Sequence, residues 1–186
     1  MDVLAERLSR RMQEEHITAY LDVGTPSASA NMYYCTHLLA SDPVVYLCTL
    51  EHGLKEYLLV SSMELERARS QSRVGNVLAF SDVVSGRAKL SEVAAALVRR
   101  VGIERLSVPR ELSVGLCDGL RAKGLVLDVR ESPVSHLRAV KDSREIGCIR
   151  RCARVCEGAC EHAIQMIRDS SVASDGSLVY EGEPLT

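Results

Sequence analysis

Cys148, Cys152, Cys156 and Cys160 recur at every fourth residue with His162 close behind, and thiolates and imidazoles are the side chains that bind zinc or carry redox chemistry. Spacing decides what they can do. On a helix the series climbs roughly 18 Å, so four sulfurs cannot surround one ion bound at about 2.3 Å. An adjacent pair could share an ion. Neighbours four apart hold their Cβ atoms about 5–6 Å from each other, beyond the ~4.5 Å that a disulfide tolerates. Cys156 and Cys160 fall within the apolar stripe of the segment, Cys152 borders it and Cys148 lies off it. Packing is the expected role, with metal or redox use the lesser alternative.

No other pattern assembles a reaction centre. His16, His37, His52, His136 and His162 are scattered, and none falls in an H-x-x-x-H or H-E-x-x-H arrangement, so each reads as a surface or capping residue. A nucleophile elbow, a Walker-type loop and a G-x-G-x-x-G fingerprint are absent. Gly115, Gly119 and Gly124 lie within and at the end of an expected helix, where packing and a C-terminal stop account for them. No catalytic, cofactor-binding or metal-ligating residue is assigned. The chain alone is expected to lack a tight divalent-metal site.

The elements available to position any chemistry follow from size and pattern. With 186 residues, 46% of them hydrophobic, the chain suffices for one domain of ordinary size and an appended element. The 23 basic and 25 acidic side chains are spread along the chain and aromatics are only 4%, without Trp. Nucleic acid is therefore not an expected partner. No apolar run reaches the roughly 20 residues that span a bilayer, and the opening MDVLAERLSRRMQEEH reads as a charged amphipathic helix rather than a signal sequence. A cytoplasmic protein with no membrane partner is the expectation, and its seven cysteines, an odd number, are expected to be free thiols.

Periodicity predicts a helix over 2–15, a strand over 17–23 ended by Gly24 and Pro26, and a helix over 30–39. Two strands, 44–49 and 54–60, joined through Glu51-His52-Gly53, must be antiparallel. A short helix over 63–70, a strand over 76–80 and a helix over 90–101, with Ser91 as an alternative cap, come next. Strand 104–108, helix 111–123 and strand 125–129 form a βαβ unit, which implies a parallel pair. The expected fold is an α/β mixed sheet with helices on both faces. Val45, Leu47, Leu58, Val60, Leu106, Val108, Leu125 and Leu127 are its expected buried rows. Residues 132–136, with Pro133, read as the linker, which divides the chain into domains 1–135 and 136–186. Beyond it Asp142 and Glu145 have capping-box spacing, and Ile146, Ile149, Ala153, Cys156, Cys160, Ala163 and Ile167 form one stripe about 100° wide. Such a long C-terminal helix needs a partner surface, either residues 1–135 or the same helix of a second copy. Residues 169–186 read as loop or frayed tail.

Arg138, Val140, Lys141, Asp142, Ser143, Glu145, Ile146, Ile149, Arg150 and Ala153 resemble the R-x-V-K-S-x-x-E-I-x-x-I-R-x-A signature of the creatinase, aminopeptidase P and prolidase family. There it joins an N-terminal domain to a "pita-bread" metallopeptidase domain. Leu21-Asp22-Val23, Pro26, Asn31, Tyr34 and Thr36 are similar to the family's ser-pro-x-asn-x-x-tyr-leu-thr-gly run, with Cys35 standing where the family carries Leu and His37 where it carries Gly; Glu66-Arg67-Ala68-Arg69 resembles its E-R-A-R helix. The resemblance implies a ribonuclease-H-like α/β N-terminal domain. It also implies a catalytic domain in which two Asp, one His and two Glu hold two divalent ions, Mn, Co or Zn, against a scissile amide. Those ligands belong downstream of the junction helix, so none is carried over to a residue here. The function implied is a non-catalytic N-terminal domain of an Xaa-Pro dipeptidase or aminopeptidase. It would restrict the site to short peptides with proline at the second position and support a homodimer. The alternatives are an assembly or binding module without a functional peptidase, and an amidinohydrolase of the creatinase type.

Overall fold

The computed structural model describes residues 3–51 and 53–185, which divide after Val140 into two units. In the first unit α1 (Val3–Glu14) leads into β1 (Ala19–Gly24), α2 (Ala30–Thr36), β2 (Val44–Thr49), β3 (Lys55–Val60) and α3 (Leu65–Gln71). It continues through β4 (Asn76–Ala79), a 3-10 turn (Phe80–Asp82), α4 (Leu90–Arg100), β5 (Arg105–Pro109), α5 (Val114–Ala122), β6 (Val126–Arg130) and α6 (Pro133–Ala139). The six strands form one sheet in the order β4-β3-β2-β1-β5-β6. The pairs β1–β2 and β2–β3 are antiparallel, whereas β3–β4, β1–β5 and β5–β6 are parallel. The sheet is mixed, as expected.

Successive strand residues point to opposite faces, and here each face is buried. Tyr20, Tyr46, Cys48, Leu58 and Val60 join one core with Leu4, Leu8 and Met12 of α1, Met32 of α2, Ala68 of α3, and Val134 and Leu137 of α6. Leu21, Val45, Leu47, Leu59, Leu106 and Val108 join a second with Val93, Ala94, Ala95, Leu97 and Val98 of α4, and Cys117 and Leu120 of α5. The expected rows are buried save Leu127, which is partly so, and they divide between the two faces: Leu58 and Val60 on the first, Val45, Leu47, Leu106, Val108 and Leu125 on the second.

Several boundaries differ for local reasons. The segment 132–136, expected as linker, begins α6 instead: Ser132 Oγ accepts from the Val134 N–H at 3.3 Å and Pro133 fills the first turn, where its missing N–H costs nothing. Ser91 does not cap α4. The helix starts after Lys89, whose N–H donates to Glu92 Oε2 at 3.1 Å, and Ser91 packs instead where Gly119 of α5 comes close. Helix α5 starts at Val114, capped by Ser113, three residues later than its composition suggested. His52, in the expected hairpin connection, lies outside the described residues.

In the second unit, α7 (Ser143–Asp169) carries the expected capping box. The Glu145 N–H donates to Asp142 Oδ1 and the Asp142 N–H to Glu145 Oε2, each at 2.8 Å. None of its residues is buried, and Ile149 and Ile167 of the stripe are 53% and 54% exposed. The segment after it, expected as loop or tail, forms a small antiparallel sheet of β7 (Ser171–Val172), β8 (Leu178–Tyr180) and β9 (Glu183–Pro184). Gly176 and Gly182 take positive φ there, as tight turns between short strands require.

Candidate functional site

β1 and β5 run parallel side by side, but the helices that follow them go to opposite faces: α2 packs into the first core and α5 into the second. The crevice beyond their carboxyl ends is therefore a topological switch point, the usual ligand position in open α/β sheets. A cleft of about 280 Å³ sits there. Asp22, Val23 and Gly24 of β1, Ser29, Ala30 and Asn31 at the start of α2, Pro109 and Glu111 after β5, and Arg138 of α6 line it.

Hydrogen bonding explains why residues so far apart in sequence meet here. Arg138 Nη1 donates to Asn31 Oδ1 at 2.8 Å, and Asn31 Nδ2 donates to Ser135 Oγ at 3.1 Å, so one amide ties α2 to α6 through both its ends. Arg7 of α1 donates through Nη2 to the Leu137 and Val140 carbonyls at 2.9 and 2.7 Å. Beneath them the buried Tyr20 hydroxyl donates to Ser132 Oγ at 2.8 Å. Bonds from an ionised donor are the stronger kind, and here both arginines bind α6 to the body of the unit. At the far end of α2 His37 has φ 52°, and its N–H bonds the Tyr33 carbonyl at 2.7 Å. That left-handed cap is where glycine is the default, which accounts for the family's glycine at this place.

The Asp22 carboxyl is raised from 3.8 to about 6, chiefly by burial and then by the charge of Glu111, with a hydrogen bond from the Val23 N–H working the other way. A carboxyl in that range changes charge close to neutrality. The cleft can thus hold a polar group between Arg138 and two carboxylates and exchange one proton at Asp22. A second polar cluster is structural: Arg73 Nη1 and Nη2 grip Glu56 at 2.8 and 2.7 Å, and the Tyr46 hydroxyl donates to Glu56 Oε1 at 2.6 Å. The same Arg73 Nη1 bonds the Cys35 carbonyl.

The residues singled out by chemical type do not converge. Cys35, Cys48 and Cys117 are buried, whereas Cys148, Cys152, Cys156 and Cys160 are exposed, and all seven are free thiols. Within the second unit no residue of α7 is buried. His16, His37, His136 and His162 are exposed. Among the described residues no group of three or more His, Cys, Asp or Glu is placed to hold a metal ion. Asp22, Asn31 and Arg138 were visible in the sequence only as parts of a resemblance. Glu111 carried no signal, because its place beside Asp22 depends on the pairing of β1 with β5.

The class is that of a mixed α/β domain whose terminal helix is tethered across a switch-point cleft. The chain belongs to the Creatinase/Prolidase N-terminal domain family, whose sequence profile matches residues 5–140. Its fold is similar to that of an Xaa-Pro dipeptidase from Bacillus anthracis, at 18% identity and a TM-score of 0.70, covering 93% of this chain and 45% of that one. An X-Pro aminopeptidase from Thermotoga maritima is similar at 20% identity and a TM-score of 0.68, covering 90% and 46%. The N-terminal domain of the cytoplasmic peptidase PepQ from Mycobacterium tuberculosis is similar at 15% identity and a TM-score of 0.56, with 72% of this chain covering 96% of that one. The chain thus spans less than half the length of the two larger enzymes. No curated protein matches it at a significant level. No helix among the described residues is long and apolar enough to cross a membrane.

Proposed function

We propose that the chain is the non-catalytic N-terminal domain of a cytoplasmic Xaa-Pro peptidase, dipeptidase or aminopeptidase, that restricts the active site to short peptides and supports a homodimer. The tether of α6 carries this reading. Arg138, Asn31 and Arg7 fix the last helix of the domain to its body, so the chain leaves Val140 from a rigid seat. A domain that limits access by steric means needs such an anchored exit, since a loose one would not hold a wall in place.

The two divalent ions of the family's chemistry do not fit the residues described. The switch-point cleft offers Asp22 and Glu111, but Arg138 lines the same space, and a guanidinium beside the carboxylates opposes a second cation. Hydrolysis is accordingly assigned to residues downstream of α7, and the chain itself contributes shape. The substrate of the whole protein is a short peptide with proline at its second position.

Assays of the 186-residue chain, beside a longer product of the same reading frame, test this on an Xaa-Pro dipeptide with Mn²⁺. Silence from the chain and chelator-sensitive turnover by the longer product support the reading. Turnover by the chain itself, abolished by a chelator, refutes it, and a longer product without activity would favour the assembly module instead.

A further inference from the structure

A larger cleft, of about 550 Å³, lies between the C-terminal turn of α4 and strands β2, β3 and β4, within the size range of small-molecule sites. The register that pairs Thr49 with Lys55 and Leu47 with Tyr57 puts these side chains on the α4 side of the sheet. Thr49 is 2% exposed, and its Oγ1 has no hydrogen-bond partner among the described residues. An unpartnered buried hydroxyl is destabilising and uncommon in native folds. Valine would fill the same space on a strand that is otherwise buried throughout, so the hydroxyl answers no packing need.

The groups around it define a complementary molecule. Lys55 and Arg100 bring two cations to the cleft, and Glu51 brings one carboxylate. Arg100 donates one N–H to the Asp82 carbonyl at 3.1 Å, which orients the guanidinium and leaves it further donors. Leu78, Leu97 and Val101 supply an aliphatic wall. We infer that this cleft binds a small zwitterionic amino acid: the cations and the Thr49 hydroxyl suit its carboxylate, Glu51 its ammonium, and the wall of α4 and β4 its side chain. Inorganic phosphate lacks the apolar body and sets extra negative charge beside Glu51. A simple alkylamine meets two cations. The inference does not rest on the peptidase reading.

Two-dimensional amide NMR of the full chain, titrated with L-leucine and L-proline to about 10 mM, roughly tenfold above a 1 mM Kd, tests it against inorganic phosphate and propylamine. Shifts confined to the cleft lining, at residues 49, 51, 55, 57, 75–78, 97, 100 and 101, with either amino acid and with neither control, are expected. Arg100→Gln, at an exposed position, weakens them at least about tenfold. Thr49→Val does the same while raising the melting temperature by a few degrees, because it removes a hydroxyl that the fold leaves unpaired. The inference is overturned by absent shifts, by an equal response to either control, by parent-like binding in Thr49→Val, or by a lower melting temperature for that variant.

Discussion

Replacing Asp22 by Asn preserves the shape of the side chain at the switch-point cleft, keeps an oxygen for the Val23 N–H and removes the charge. Burial first, then repulsion from Glu111, raises this carboxyl from 3.8 to about 6. A carboxyl raised on folding holds its proton more tightly in the folded chain than in the unfolded one. Its contribution is thus fully present below about pH 4 and is lost as pH rises through about 6. The charged form at neutral pH therefore costs about 3 kcal/mol, at about 1.4 kcal/mol per pH unit, and solvent reaching the half-buried side chain trims this to about 2 kcal/mol. Asp22→Asn should be more stable than the parent by that amount near neutral pH, or about 4–8 °C in melting temperature. Near pH 4 the two should melt together. Calorimetric scans of both proteins across this range isolate the effect, because every other titrating group is common to the pair. A variant no more stable at neutral pH, or a gap that does not change with pH, refutes the reasoning.

Arg73→Ala strands the Glu56 carboxylate, whose side chain is 12% exposed, and should cost about 3–5 kcal/mol in urea unfolding, as removal of one partner of a buried pair does. Gly119→Ala sets a Cβ 2.6 Å from Ser91 Cβ and Oγ; the overpacking should cost about 1–3 kcal/mol, and a Ser91→Gly, Gly119→Ala double variant should recover part of the loss. Leu106→Asp buries an unpaired carboxylate in the second core at several kcal/mol, comparable with the ~5–15 kcal/mol stability of a domain. Circular dichroism should show it unfolded, and an unchanged melt would refute the register of β5.

The mixed sheet and its helices were legible because their patterns are local. Leu4, Leu8 and Met12 repeat at helical spacing, and β2 is a short apolar run, buried on both faces and thus without alternation. Helix α6 was not, since Ser132-Pro133 reads as a break until the serine is seen to cap and the proline to open a helix. The small C-terminal sheet was missed because its strands have two or three residues each and no buried face. The cleft was legible in part. Asn31 and Arg138 belong to family motifs, but their bond spans 107 positions, and no spacing rule reaches that far. Glu111 depends on strand order, and the unpaired hydroxyl of Thr49 on everything packed around it, so neither leaves a trace in the sequence.

The most direct test of the central claim compares the longer product of the reading frame, with and without residues 1–140, on an Xaa-Pro dipeptide and on a peptide of about ten residues with the same two N-terminal residues. If the domain restricts the site, its removal raises kcat/KM for the long peptide relative to the dipeptide by at least about tenfold, a difference of about 1.4 kcal/mol in transition-state stabilisation. An unchanged ratio, in a truncated protein that still turns over the dipeptide, contradicts it.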